Sequence, residues 1–510
     1  MARIEVEHQA SLALDPAFAI GRVDPRMFGA FVEHMGRCVY TGLYEQEHPA
    51  ADPAGLRADV LELVRELGVT VVRYPGGNFV SGYRWEDGVG PIAERPRRLN
   101  LAWRQVESNE FGLGEFMTWA GLAQVEPMLA VNLGTRGLQE AIDLVEYCNH
   151  PGGTSLSDLR QRHGASEPYD VRLWCLGNEI DGPWQLGHKT AIEYGRLAAE
   201  TAKAMRLIDP SIELVAAGSS NRHMPTFAKW DADVLEQCFD EVDFLSVHAY
   251  YEELDGDLDS FLGTAVDFDR QITEIVATCD YVAAQRRSRK RLRLAVDEWN
   301  VWKQSRFPGV PSLTWDEAPR LIEDDYSVAD AVVVGSLLIT LLRHADRVGV
   351  ACLAQLVNVI APIRTEPGGE AWRQTIFFPF AHVARYARGV SLRAELQAPV
   401  HETARCGDVP IADVAVTYDE ETNEVALFAV NRHTTESLAL AVSLSAFPDH
   451  AVVEHVSIAD HDPRAGNSHR TPDRVTPKQR DEYATDGSEL TVLLPPLSWN
   501  VIRLGEPEAA

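Results

Sequence analysis

Two carboxylates stand where chemistry could be done. Glu179 closes the segment Trp174-Cys175-Leu176-Gly177-Asn178-Glu179, and Glu298 lies in Asp297-Glu298-Trp299-Asn300. A short apolar run of strand character precedes each, so each carboxyl would sit at a strand end. Two carboxyl groups flanking a glycosidic bond can cleave it: one protonates the departing oxygen, and the other attacks the anomeric carbon or activates water. Asn178 adds an amide next to Glu179 that could bond the sugar 2-hydroxyl, a contact that strengthens in the transition state. Taken singly, each could equally be a solvated or structural carboxylate, so the elements that position them must decide.

Those elements repeat. Eight strand-like apolar runs each end in polar residues: Met27 to Val32 before Glu33-His34, Val69 to Tyr74 before Pro75-Gly76-Gly77-Asn78, Glu126 to Val131 before Asn132, and Val171 to Leu176 before Gly177-Asn178-Glu179. The others are Ile212 to Ala217 before Gly218-Ser219-Ser220-Asn221, Val242 to Val247 before His248-Ala249-Tyr250, Leu292 to Val296 before Asp297-Glu298-Trp299-Asn300, and Val350 to Leu353 running into Gln355 and Asn358. Between them the spacing predicts amphipathic helices over Ala54 to Leu67, Ala191 to Ile208, Phe268 to Gln285 and Ser327 to His344. Eight strand–helix units close an α/β (β/α)₈ TIM barrel, whose strand-end loops gather on one face. Glu179 and Glu298 would then converge from the fourth and seventh strands.

Past about Arg388 the pattern changes to short strands with turn signals: Ile411 to Thr417, Glu424 to Val430, Leu438 to Leu444, Val452 to Ile458, Leu490 to Leu494 and Ser498 to Leu504. This predicts a C-terminal β-sandwich domain. Arg3 to Leu14 also reads as a strand, one able to pair with that sandwich across a long sequence separation. The expected organisation is therefore an N-terminal strand segment over 1–20, a barrel over 21–385 and a sandwich over 386–510.

Composition narrows the partners. The 47 basic and 76 acidic residues leave a formal charge of −29, which argues against nucleic acid or an anionic membrane surface and suits a neutral substrate. No stretch of about 18 apolar residues is present, and the N-terminus lacks a secretory pattern; the expectation is a cytoplasmic protein. Seven cysteines at 38, 148, 175, 238, 279, 352 and 406 form no paired motif and read as reduced core thiols.

With the barrel register in place, the pair around Glu179 and Glu298 resembles the acid/base and nucleophile of the large clan of retaining barrel glycosidases. Phe31-Val32-Glu33-His34, Arg73-Tyr74-Pro75-Gly76-Gly77-Asn78-Phe79 and Ser108-Asn109-Glu110-Phe111-Gly112 are more narrowly similar to α-L-arabinofuranosidases of glycoside hydrolase family 51. The resemblance runs over nearly the whole chain. It implies a retaining, exo-acting enzyme on arabinose-containing oligosaccharides, with Glu179 as acid/base and Glu298 as nucleophile; two carboxylates suffice for that chemistry and no ligand cluster is apparent in the sequence, so neither metal nor cofactor is expected. It further implies that Glu33 and Asn78 bond the furanose, Asn178 holds the 2-hydroxyl, Tyr250 orients the nucleophile, Gln355 closes the pocket and Trp103 forms its aromatic wall. A homo-oligomer, by resemblance a hexamer, is implied as well.

Read without the resemblance, Trp103 and Tyr250 could be core aromatics and Glu33 an ion-pair member. His248 could bond a catalytic carboxylate or be a satisfied interior histidine. Rival activities are a β-glucosidase, endoglucanase or xylanase of the same clan, and a metal-dependent sugar isomerase. Against the isomerase stand strand ends rich in Asn and Gln, which are weak ligands. A catalytically dead carbohydrate-binding protein would lack one carboxylate, and both are present. The loops Tyr251 to Asp259 and Phe307 to Pro311 follow no recurrent motif and would border the side of the leaving group.

Overall fold

The computed structural model describes residues 6–506. Eight parallel strands close a barrel in chain order: Gly29–Phe31, Val71–Tyr74, Glu126–Val131, Leu173–Leu176, Glu213–Ala216, Phe244–Tyr251, Arg293–Val301 and Val348–Ala354. Most strand residues are buried on both faces, which is why the sequence shows near-continuous apolar runs instead of alternation. The predicted helices form at Ala58–Leu67, Ala191–Ile208, Ala265–Gln285 and Val328–Arg343. Residues 54–57 stay outside the first of these, and the third begins three residues earlier than its apolar spacing suggests.

Seven of the eight barrel strands depart from their expected bounds, the second, fourth, fifth and eighth by only one or two residues at an end. The first is shorter, because Pro25–Phe28 forms a 3₁₀ turn capped by Asp24. The sixth and seventh are longer: they run through the polar residues read as loop beginnings and pair His248 with Glu298, Ala249 with Trp299, Tyr250 with Asn300 and Tyr251 with Val301. A register shift opposite Ser246 to His248 places an extra residue on the seventh strand, between Ala295 and Glu298. The polar ends are thus held by a ladder of hydrogen bonds, which fixes them more tightly than a loop would.

Helix Val328–Arg343 is buried from Val328 to Leu342, where the spacing predicts an amphipathic helix with only one apolar face. Ser327 and Asp330 cap its start reciprocally. It lies between the barrel and strands Ala412–Asp419, Glu424–Asn431 and Ser498–Gly505 of the C-terminal region. At Gly335 a β-carbon would come 2.3 Å from the Trp499 ring, so glycine there sets how closely helix and sheet approach. Asp413 ties the seam by ion pairs to Arg343 and Arg432.

The C-terminal region contains a seven-stranded and a five-stranded sheet packed around Leu12, Val414, Leu427, Leu440, Val492 and Ile502. Strand His8–Ala13 enters the five-stranded sheet parallel to Leu438–Ser443, whereas Arg3 to Glu5 of the predicted N-terminal strand lie outside the described residues. Ala19–Arg22 adds an edge to the other sheet beside Val390–Leu392. Short strands at Glu395–Gln397, Val400–Thr403, Gly407–Pro410, Lys478–Gln479 and Tyr483–Asp486 lack the apolar alternation that marked the longer ones. Six of the seven cysteines are buried and none is bridged; Cys406 departs from the expected core placement, half-buried against the Ser260 carbonyl.

Candidate active site

Glu298 points into the barrel mouth from the seventh strand and is 6 % exposed. Arg73, on the second strand, donates from Nη1 to its Oε1 at 2.6 Å, and the Tyr250 hydroxyl donates to Oε2 at 2.8 Å. Burial and the Glu298 charge hold the Tyr250 phenol well above its usual range, so it remains a donor. The same guanidinium donates from Nη2 to Asn178 Oδ1 at 2.6 Å and places Nε 3.1 Å from Asp297 Oδ2. One arginine thereby fixes the candidate nucleophile, the amide beside the candidate acid and the carboxylate beneath them. Burial works to raise the Asp297 pKa, but Arg73, His248 and Ser246 outweigh it and hold it at about 2.

Glu179 follows the fourth strand in a left-handed backbone conformation, φ 43°, stabilised by the Gly182 amide donating to its carbonyl at 2.8 Å. Its Oε1 meets His248 Nδ1 at 2.9 Å, and its Oε2 accepts from the Trp184 indole at 2.9 Å. One oxygen each of Glu179 and Glu298 and a nitrogen of His248 lie within 4.8 Å of one another. So short a separation suits direct attack on the anomeric carbon; placing a water between carboxylates takes about 6.5–9.5 Å.

The opposite wall is built around Glu33, 2 % exposed at the end of the first strand. Its Oε1 accepts from the Phe79 amide at 2.8 Å and the Trp103 indole at 2.9 Å, and its Oε2 from Gln355 Nε2 at 3.3 Å. Burial pushes the Glu33 pKa up to about 7 despite the two N–H donors on Oε1. Asn78 Oδ1 accepts from Asn178 Nδ2 at 3.3 Å. Gln355 Oε1 is buried and has no hydrogen-bond partner among the described residues, an acceptor available to a hydroxyl group. The structure thus brings Glu33, Asn78, Trp103, Asn178, Glu179, Tyr250, Glu298 and Gln355 into one connected cluster.

Close approach explains the Pro75-Gly76-Gly77 segment. A β-carbon at Gly76, where φ is +154°, would lie 2.5 Å from Glu33 Cγ, and one at Gly77 would lie 2.8 Å from Glu298 Oε1. The chain passes between two carboxylates where no side chain fits.

Four further residues shape the site. His248, left open between two roles by the sequence, contacts Glu179, and Asp297 supports it from below. Arg73 was visible as a charge inside an apolar run, a position that demands a buried partner. Trp184 carried no sequence signal, because only the turn after Glu179 returns its indole to the carboxylate.

A closed parallel barrel with two facing carboxylates at the ends of strands four and seven defines the class: a barrel glycoside hydrolase with the carboxyl spacing of a retaining enzyme. Residues 63–270 match the model of the α-L-arabinofuranosidase 1 domain, and residues 297–498 that of the α-L-arabinofuranosidase C-terminal domain. The intracellular exo-α-(1→5)-L-arabinofuranosidase of Streptomyces lividans is 59 % identical over 98 % of this chain and 76 % of its own length. An exo-α-(1→6)-L-arabinofuranosidase of Bifidobacterium longum is 50 % identical over 97 % of each chain. The solved structure of a family 51 α-L-arabinofuranosidase from Bifidobacterium longum superposes with a TM-score of 0.94 at 44 % identity, covering 98 % of this chain and all of that one. This chain belongs to the α-L-arabinofuranosidases of glycoside hydrolase family 51.

Proposed function

We propose that the chain removes terminal non-reducing α-L-arabinofuranosyl residues from arabinose-containing oligosaccharides by double displacement, with Glu298 as nucleophile and Glu179 as acid/base. The observation that carries this reading is how closely the pair approach, one oxygen of each lying within 4.8 Å of the other. In the first half, Glu298 bonds to the anomeric carbon as the bond to the leaving oxygen breaks, and that oxygen takes the Glu179 proton. In the second, Glu179 takes a proton from water, whose oxygen displaces Glu298 with net retention. Arg73 and Tyr250 hold the attacking carboxylate ionised and in line. Glu33, Asn78, Asn178 and Gln355 offer acceptors and donors to the furanose hydroxyls, and Trp103 closes the wall.

The deciding experiment compares Glu179→Ala with Glu298→Ala on an aryl arabinofuranoside carrying an activated leaving group. Losing proton transfer costs about 10²–10⁴ in rate, and an activated leaving group needs that proton little. Glu179→Ala should therefore form the intermediate and be rescued by azide to the α-arabinosyl azide, while Glu298→Ala should fail on every substrate. Rescue of Glu298→Ala to the α-azide would reverse the roles. Faster turnover of an aryl β-xylopyranoside or β-glucopyranoside would move the substrate to another branch of the clan.

The mechanism needs no metal. Activity lost in chelator and restored by a divalent ion would instead favour metal chemistry at Glu179, His248 and Glu298. Residence in the cytoplasm is supported by the intracellular Streptomyces lividans relative and makes imported short oligosaccharides the expected substrates; fractionation tests it. Among the described residues no helix is long and apolar enough to cross a membrane. Assembly as a homohexamer rests on family resemblance, and light scattering would reveal a particle six chains in mass. The named relatives differ between α-(1→5) and α-(1→6) linkages, so a panel of linkage isomers is required to assign preference.

A further inference from the structure

His248 touches both halves of the catalytic pair through one nitrogen. Its Nδ1 lies 2.9 Å from Glu179 Oε1 and 3.6 Å from Glu298 Oε2, and its Nε2 lies 3.4 Å from Asp297 Oδ1. The side chain is 3 % exposed, and its backbone carbonyl is held by Gln271 Nε2 at 2.9 Å. A ring with carboxylate oxygens facing both nitrogens is placed to carry both protons.

We propose that His248 is a positioning residue that remains an imidazolium through the cycle, its Nδ1–H held on Glu179 Oε1 and its charge close enough to Glu298 to favour whichever carboxylate is ionised. This rests on the assignment of the two carboxylates above. When Glu298 bonds to the anomeric carbon and Glu179 gives its proton to the leaving oxygen, one charge leaves the first carboxylate and appears on the second. The pair carries a net charge of −1 before and after. The Nδ1–H stays on Glu179 Oε1 throughout, and no proton leaves the ring. His248 thereby favours ionised Glu298 in the free enzyme and ionised Glu179, the base for water, in the intermediate.

Burial disfavours this cation, but Glu298, Asp297 and Glu179 outweigh it and hold the imidazole well above its ordinary pKa. The other titratable or charged groups facing the cluster are Arg73 from the second strand, Cys175 from the fourth, Tyr250 on the sixth and Glu33 from the first. Asp181 stands behind Glu179, raised to about 6 by burial. All are common to the enzyme and a His248 variant, so the difference between them reports the ring.

The test is the pH dependence of kcat/KM for His248→Gln and His248→Asn. Removing a cation within about 4–6 Å of both carboxylates should carry both limbs of the profile to higher pH, by about 1–3 units. A neutral imidazole accepting the Glu179 proton at Nδ1 predicts the opposite for the basic limb, because the variant would lose a bond that favours protonated Glu179. A basic limb that falls, or a profile whose limbs stay put while kcat drops, overturns the proposal.

The unaltered enzyme gives a second reading that no folding defect can obscure. Nitrogen-15 spectra should show both His248 ring nitrogens protonated at about neutral pH, in the free enzyme and with the intermediate trapped by a slow 2-fluoro arabinofuranoside. One unprotonated nitrogen in either state overturns the proposal. Failure of the carboxylate assignment is read separately, in the azide experiment on Glu179→Ala, and leaves the proton count of the ring unchanged.

Discussion

The backbone of Gly77 runs so close beneath Glu298 that a β-carbon on it would stand 2.8 Å from Oε1, the oxygen held by Arg73. It would also stand 3.2 Å from the Asn178 amide. At Gly77, with φ −93° and ψ −95°, an added methyl group would meet both of these groups at once. Gly77→Ala should fold yet lose at least about 100-fold in kcat, in keeping with the rate lost when a reacting group is displaced by about 1 Å. Kinetics beside a thermal melt test this; near-normal kcat would mean that Glu298 tolerates displacement.

Tyr250 supplies the second donor to Glu298. Tyr250→Phe keeps the ring, which packs edge-on against Trp302 with centroids 5.3 Å apart, and removes only the hydroxyl. A hydrogen bond to a charged group contributes about 1.5–3 kcal/mol, so kcat should fall roughly 10- to 100-fold with little change in Tm. Unchanged kcat would mean that Arg73 and His248 suffice to hold Glu298.

Glu33 links the pocket to folding stability. Its pKa rises on folding from 4.5 to about 7 because it is buried. A raised carboxylate stabilises the protein fully below the unfolded value and loses that contribution as pH climbs through the folded one. At about 1.4 kcal/mol per unit the loss totals about 3 kcal/mol. Glu33→Gln cannot ionise, so its stability relative to the unaltered protein should improve steadily between about pH 4.5 and 7. Denaturant unfolding across that interval checks the trend; a constant difference would place the Glu33 proton elsewhere.

Gly335 offers a test remote from the chemistry. Gly335→Ala would drive a β-carbon to 2.3 Å from the Trp499 ring, overpacking the seam between barrel and sandwich at a cost of about 1–3 kcal/mol. Tm should fall while kcat and KM on a soluble aryl arabinofuranoside stay near normal at moderate temperature. Activity lost in proportion to stability would mean that the seam also positions the barrel mouth.

The sequence by itself determined the barrel, because eight buried parallel strands leave eight apolar runs with polar ends, and helices facing a sheet leave a 3.6-residue period. It also marked the two carboxylates, since a Glu at the end of such a run needs no tertiary knowledge to be placed on the barrel mouth. The tertiary structure alone decided what surrounds them. Arg73 finds Glu298 225 residues away in the chain, and Gln355 finds Glu33 across 322; no local pattern encodes such a pairing. It likewise decided that His248 and Tyr250 lie within a paired strand, because a backbone ladder across strands six and seven outweighs the polarity that makes those residues look like a loop. The role of His248 was open in the sequence for the same reason: an imidazole's protonation is set by the charges around it, and three of those charges come from the ends of two other strands.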